Sequence, residues 1–369
     1  MSQYNSGHFP NPPPPYTQYG ATPPKPSSNL KWLWILLGVL GTGAVVVALV
    51  CGGILYSISQ ALKPLPEGPT AREPFQVASI PAPPMPELGN GKPLADLRGA
   101  KVYEVLWGPE QESIPSKPGI GGKMYVLLPP GNHAPGSIPC LLAAPAGTNL
   151  MTGANTGPYF ESHIPYLEAG FAIMDYEFDG SPQYASEESD ATRAFIDSQA
   201  GLVNSRNVID FIQQKMPMVN PKQIFAVGHS SGGSHVLLLG EHETRLAGVV
   251  AYAPCCDIPK RIPSFLAKML SHSEKRIGDF LIQSSPNTHV SRMNCPVLLC
   301  HAKDDSNVPV SDSQEMHKLL LAAGKQSELY LTEDGDHYSE MLDQCVPIGI
   351  KWMKKRMNET KGATSPNTK

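Results

Sequence analysis

Hydrophobic and polar positions divide the chain into four regions before any side-chain chemistry is considered. From Trp32 to Ile58 no charged residue interrupts a run rich in Leu, Val, Ile and Gly, and about 20 such residues suffice to cross a hydrocarbon core. Residues 32–58 are therefore expected to form a single transmembrane helix. The run exceeds the apolar core of a signal peptide, about 7–15 residues, and lies far from the N-terminus, so an anchor fits better than a cleaved leader. Residues 1–31 and 59–98 are polar and proline-rich. The first stretch is expected to be a disordered tail and the second a semi-rigid stalk.

Beyond the stalk, short apolar runs alternate with longer amphipathic ones up to about residue 357, with a polar tail at 358–369. That alternation marks a mostly parallel sheet covered by helices, and the length suits one α/β domain at 99–357. Strands are expected at Met124 to Leu128, Cys140 to Ala144, Phe171 to Asp175, Gln223 to Val227, Gly248 to Tyr252, Val297 to Cys300 and Ser327 to Leu331. Helical periodicity is clearest at Ala191 to Lys215, Ser234 to Leu239, Val310 to Ala323 and Val346 to Met357. The segment from Cys255 to Met293 is the sizeable insertion, expected to form a small helical lid.

Charge changes this picture in two places. The net charge is −4 and no lysine- or arginine-rich run is present, which removes nucleic acid from the candidate partners. Ahead of the span stand Lys25 and Lys31 and no acid, whereas Glu67 and Glu73 follow it. The bias places the tail in the cytoplasm and the globular domain outside it. Six cysteines in the globular region would permit disulfides there, although Cys255, Cys256 and Cys300 sit at strand ends, where unpaired core thiols are the simpler reading. The absence of a Cys-x-x-Cys or His-Glu-x-x-His pattern removes the usual zinc sites, and no cofactor is expected. Pro12 to Pro15 followed by Tyr16 has the form of a WW-domain ligand, a string that low complexity also produces in a spacer.

The chemistry is carried by three positions. Gly228-His229-Ser230-Ser231-Gly232 directly follows an expected strand and opens an expected helix, a setting that projects a serine hydroxyl from a sheet edge. A serine is a poor nucleophile until a histidine takes its proton, and a carboxylate must hold that histidine in one tautomer. The strand from Pro296 ends in a loop with Asp304 and Asp305. The next strand leads to Gly335-Asp336-His337. The chain order Ser, Asp, His, each beyond a strand end, is that of an α/β-hydrolase.

These motifs resemble the catalytic domain of prolyl-oligopeptidase-like and dienelactone-hydrolase-like serine hydrolases over about residues 100–356. Gly-His-Ser-Ser-Gly-Gly at 228–233, His-Ala-Lys-Asp-Asp-Ser-Asn-Val-Pro at 301–309 and Gly-Asp-His at 335–337 carry the resemblance. It implies the catalytic triad Ser230, Asp305 and His337, selecting Asp305 over Asp304 and leaving His301 a structural match. Where such enzymes have His-Gly after the third strand, this chain has Pro145-Ala146-Gly147-Thr148. The oxyanion donors are then expected to be the backbone amides of Ser231 and Thr148. A tyrosine that peptidases of the family place in this loop is replaced near Pro145, which favours an ester of modest size over a peptide. The expected function is a membrane-anchored carboxylic ester hydrolase acting through an acyl-enzyme. Its alternatives are a peptidase or acyltransferase using the same triad, or a silent binding module on a membrane stalk.

Overall fold

The computed structural model describes residues 73–89, 91–107, 118–119, 122–148, 150–183, 188–262 and 275–363. The expected tail at 1–31, the Pro12–Tyr16 string and the span at 32–58 lie outside them. Among the described residues, no helix is long and apolar enough to cross a membrane.

One nine-stranded sheet organises these residues. Its strands are β1 (Lys92–Pro93), β2 (Lys101–Leu106), β3 (Lys123–Leu128), β4 (Ile138–Ala144), β5 (Ala172–Tyr176), β6 (Val219–His229), β7 (Gly248–Tyr252), β8 (Val297–Ala302) and β9 (Ser327–Thr332). They lie in the order β1-β2-β3-β5-β4-β6-β7-β8-β9. The first four in this order pair antiparallel, and every pairing from β5 to β9 is parallel. Each of the seven expected strands is present. The pair β1 and β2 was not anticipated, because β1 is two residues long and only Val105 of the six residues of β2 is buried.

Alternation within strands explains the two layers around the sheet. Met124, Val126 and Leu128 of β3, Cys140 and Leu142 of β4, and Val297 and Leu299 of β8 enter one core. Tyr125, Leu127, Leu141, Ala143, Leu298 and Cys300 enter the other. Successive side chains of a strand point to opposite faces, and parallel strands covered on both faces read as apolar throughout. On the first face lie α2 (Glu188–Asp197), α3 (Leu202–Lys215), α4 (Ser231–His242) and α7 (Val310–Ala322). The second carries α1 (Ile164–Glu168) and α8 (Ser339–Ala363). Described parts of the 255–293 insertion are helical, with α5 at Ile258–Arg261 and α6 at Lys275–Gln283.

Three expectations need correction. The single helix expected at Ala191 to Lys215 is two, broken where Gln199, Ala200 and Gly201 all take positive φ of 56°, 58° and 78°. Its apolar period runs on through the break, from Phe195 to Leu202 and Val203, which is why periodicity hides it. Residues 73–89, expected within the stalk, lie against the first core through Phe75, Val77, Met85 and Leu88. Arg206 Nη1 further donates to the carbonyls of Val77 and Ile80. The last helix, α8, continues to Ala363, beyond the expected boundary at residue 357. All six cysteines of this region are free and buried.

The order of strands positions a site. From β4 the chain passes to β5 on one side and then crosses to β6 on the other. Loops leaving the carboxyl ends of β4 and β6 therefore diverge, and a crevice opens between them at the topological switch point. Thr148 follows β4, and Ser230 follows β6.

Burial of histidines sets an acid limit on this fold. Burial lowers the pKa of His235 to about 3 and of His229 and His242 to about 4, and lowers those of His289 and His301. Once unfolded, each takes up a proton near pH 6.5 that the folded state refuses, so stability is full above that pH and is lost as the pH falls towards 4. Burial raises the pKa of Glu241 and Asp312 and acts in the opposite sense, but these are outnumbered. Urea unfolding is expected to show a lower midpoint at pH 5 than at pH 7, with unchanged slope. A midpoint that rises on acidification would refute the argument.

Candidate active site

The sharp turn begins with backbone strain. Ser230, between β6 and α4, has φ 55° and ψ −122°, a conformation that costs an L-residue about 1–3 kcal/mol. Neighbours hold it there: its N–H donates to the Tyr252 carbonyl at 2.9 Å, and its own carbonyl accepts from the Ser234 amide at 3.0 Å. The glycines either side serve close approach rather than positive φ. A Cβ on Gly228 would stand 2.2 Å from the Gly232 carbonyl oxygen, and one on Gly232 would stand 2.7 Å from that of Ala144. Both obstacles are backbone. Gly232→Ala is expected to lower stability by about 1–3 kcal/mol, as overpacking does. It should also slow covalent labelling of Ser230, because the turn must move away from β4. Unaltered melting and labelling would refute this.

Around the turn, three side chains from three strand ends form a line. His337 Nε2 lies 3.0 Å from Ser230 Oγ, and His337 Nδ1 lies 2.7 Å from Asp305 Oδ2. A carboxylate can only accept, so Nδ1 carries the proton and the lone pair of Nε2 faces the serine hydroxyl. Asp305 Oδ1 accepts from the amides of Asn307 at 2.9 Å and Val308 at 2.8 Å. His337 is 1% exposed, and the Asp305 side chain is fully buried. Burial confines each group to this one arrangement. Thr148 and Ser231 also meet here: the Thr148 N–H donates to Ser231 Oγ at 3.2 Å. The Ser231 amide is the first of α4 and has no partner within the helix.

Sequence comparison bears on what such a site does. The prolyl oligopeptidase family matches residues 158–355, more than half of this 369-residue chain. The chain belongs to the prolyl oligopeptidase family. Curated relatives of the chain include proteins named as an acylamino-acid-releasing enzyme and as an uncharacterized peptidase. Acylamino-acid-releasing enzyme 2 of Oryza sativa subsp. japonica is 21% identical over 257 residues, covering 64% of this chain and 32% of that protein. Among solved structures, the acetyl xylan esterase from Paenibacillus sp. R4 superposes with a TM-score of 0.55 at 16% identity, covering 76% of this chain and 90% of that one. Pyrococcus horikoshii acylaminoacyl peptidase gives a TM-score of 0.55 at 13% identity, covering 70% and 48%. At such identities the likeness shows a shared α/β-hydrolase-like fold. The chain spans about a third of the length of the curated relatives it matches.

In this prolyl oligopeptidase family member, two further histidines support the line, and the sequence singled out neither for that task. His229 Nε2 lies 2.6 Å from the carbonyl oxygen of His337, to which it donates, and the two rings are 4.7 Å apart. Its lowered pKa, caused first by burial and then by the neighbouring His337, keeps it neutral. His301, read only as a structural match, donates from Nε2 to both Val308 O at 3.0 Å and Asp305 Oδ2 at 3.1 Å. Its Nδ1 accepts from Ser313 Oγ at 2.7 Å. Asp305 Oδ2 is therefore shared between His337 and His301. Asp304, the neighbouring acid, accepts from the Asp336 amide at 3.0 Å, and Asp336 accepts from Ser306. It fastens the acid loop to the histidine loop.

Proposed function

We propose that this chain is a membrane-tethered carboxylic ester hydrolase in which Ser230, His337 and Asp305 act as a triad. The observation that carries the reading is the unbroken line from Ser230 Oγ through both nitrogens of His337 to Asp305, with steps of 3.0 and 2.7 Å. Ser230 Oγ attacks the ester carbonyl while His337 Nε2 takes its proton. Asp305 stabilises the resulting imidazolium and keeps its ring in place. The amides of Ser231 and Thr148 receive the oxyanion, and Thr148 exchanges its contact with Ser231 Oγ for this charge. His337 returns the proton to the departing alcohol, and water then releases the acid by the same steps in reverse.

An ester is favoured because the loop after β4, Pro145 to Thr148, offers backbone amides where family peptidases carry a tyrosine hydroxyl. Amide cleavage is the second reading, supported by the curated relative named for releasing acylamino acids. Residues 32–58 would hold the enzyme to a membrane with its domain outside the cytoplasm.

A fluorophosphonate probe should label the full-length protein at Ser230 and leave Ser230→Ala unlabelled; labelling that survives the substitution would defeat the triad. Matched esters and dipeptide amides then separate the two readings, with faster ester turnover expected. Added protease should digest the domain on sealed cells. Digestion only after lysis would overturn the orientation.

A further inference from the structure

Among the described residues, one exposed aromatic ring packs directly against the triad. Tyr338 is 61% exposed, and its ring lies 5.1 Å from that of His337 and 6.2 Å from that of His229. We propose that Tyr338 is the platform for the departing alcohol and that it selects esters whose alcohol carries an aromatic ring. The inference rests on the serine hydrolase reading above and deepens it by naming the leaving group.

Direction is the first argument. When Ser230 Oγ attacks a carbonyl carbon, the carbonyl oxygen turns to the amides of Ser231 and Thr148, and Thr148 belongs to the loop after β4. The alcohol oxygen has to meet His337 Nε2 instead, because that nitrogen returns the proton on departure. His337 follows β9, and β4 and β9 lie on opposite sides of β6 in the sheet. The alcohol therefore leaves across the β9 side of the nucleophile. There the Tyr338 ring packs on both His337, which hands over the proton, and His229, which immediately precedes Ser230.

The ring is fixed at its base and open on its surface. The Tyr338 carbonyl accepts from the Leu342 amide at 3.0 Å, at the start of α8. The adjoining carbonyl of His337 accepts from His229 Nε2 at 2.6 Å. These two bonds hold the backbone that carries the ring. Interplanar angles are 85° to His337 and 68° to His229, so neither histidine stacks on it in parallel. A lone tyrosine on a surface is ordinary. A positioned ring beside the proton donor is different, because it offers apolar area that a leaving group can take out of water. A planar ring covers that area and adds an offset-stacked or edge contact, whereas a short alkyl group covers little of it.

The test compares benzyl acetate with ethyl acetate in the full-length protein, two esters of one acid whose alcohols differ in the ring. Benzyl acetate is expected to have the higher kcat/KM in the wild type. An aromatic contact of this kind is worth about 2- to 10-fold, so Tyr338→Ala should lower the benzyl-to-ethyl ratio of kcat/KM by that factor. The change should fall on KM for the benzyl ester, since stacking is made in ground and transition states alike. Tyr338→Phe keeps the ring and should keep the ratio. A ratio that Tyr338→Ala alters by less than twofold overturns the proposal, and this includes an equal loss with both esters, the mark of a structural fault. A ratio that collapses as far in Tyr338→Phe overturns it too. Labelling of Ser230 by a fluorophosphonate is measured alongside. Labelled wild-type enzyme without benzyl preference rejects the platform alone, whereas absent labelling rejects the hydrolase reading beneath it.

Discussion

Replacing Ser230 by alanine is expected to lower kcat for an activated ester by about 10⁵- to 10⁶-fold, the cost of removing a triad nucleophile elsewhere. Among the described residues, neither neighbouring serine hydroxyl is placed to substitute for it. Ser231 Oγ accepts from the Thr148 amide at 3.2 Å, and Ser234 Oγ is one turn further along α4, donating to the Ser230 carbonyl at 3.3 Å. The same position allows a second measurement with the opposite sign. Ser230 holds φ 55° and ψ −122°, which glycine adopts without the strain of a Cβ. Ser230→Gly and Ser230→Ala both lose the hydroxyl, so their difference reports strain, less the roughly 0.5–1 kcal/mol by which glycine favours the unfolded chain. Ser230→Gly is expected to be the more stable of the two by about 1 kcal/mol in urea unfolding, with both inactive. If the alanine variant is the more stable, the turn is not strained by its side chain; if it retains more than a thousandth of wild-type kcat, Ser230 is not the nucleophile.

How far the sequence reached can be traced residue by residue. The parallel strands were legible because both faces are buried, so β4, β7 and β8 read as short apolar runs bounded by polar loops. Strand β2 was not, because only Val105 of its six residues is buried, while Lys101 and Leu106 at its ends are exposed, and this blurs the pattern. The break between α2 and α3 was hidden for another reason. It is dictated by tertiary contacts, since Gly201 faces the Phe178 ring and Ala200 O accepts from His235. Ser230, Asp305 and His337, whose side chains the structure brings into one line, could be named together because chain order and strand ends constrain all three. His229 and His301 escaped, since their tasks depend on which nitrogen faces which acceptor, and no local spacing encodes that. Thr148 and Ser231 were named as a pair of amides. The hydrogen bond from Thr148 N–H to the Ser231 hydroxyl emerges only once β4 and β6 lie side by side.

Asp305→Asn should reduce kcat by about 10⁴-fold, whereas Asp304→Asn, one residue away, should cost less than about tenfold. The contrast follows from hydrogen-bond bookkeeping in the acid loop. Asp305 Oδ1 accepts from two fixed backbone donors, the amides of Asn307 and Val308. An asparagine at 305 must therefore keep its carbonyl oxygen on that side and turn its NH₂ towards His337 Nδ1. Two donors would then face each other unless His337 shifts its proton to Nε2, which removes the lone pair that Ser230 Oγ needs. His301 aggravates the exchange, since its Nε2–H also points at the replaced atom, 3.1 Å away. Asp304 instead accepts from a single backbone amide, that of Asp336, and an asparagine oxygen can do the same. Nitrogen NMR of the His337 ring would show the proton moving from Nδ1 to Nε2 in Asp305→Asn and staying in place in Asp304→Asn. An Asp305→Asn enzyme with tenth-normal kcat, or an Asp304→Asn enzyme as damaged as it, would reassign the acid of the triad.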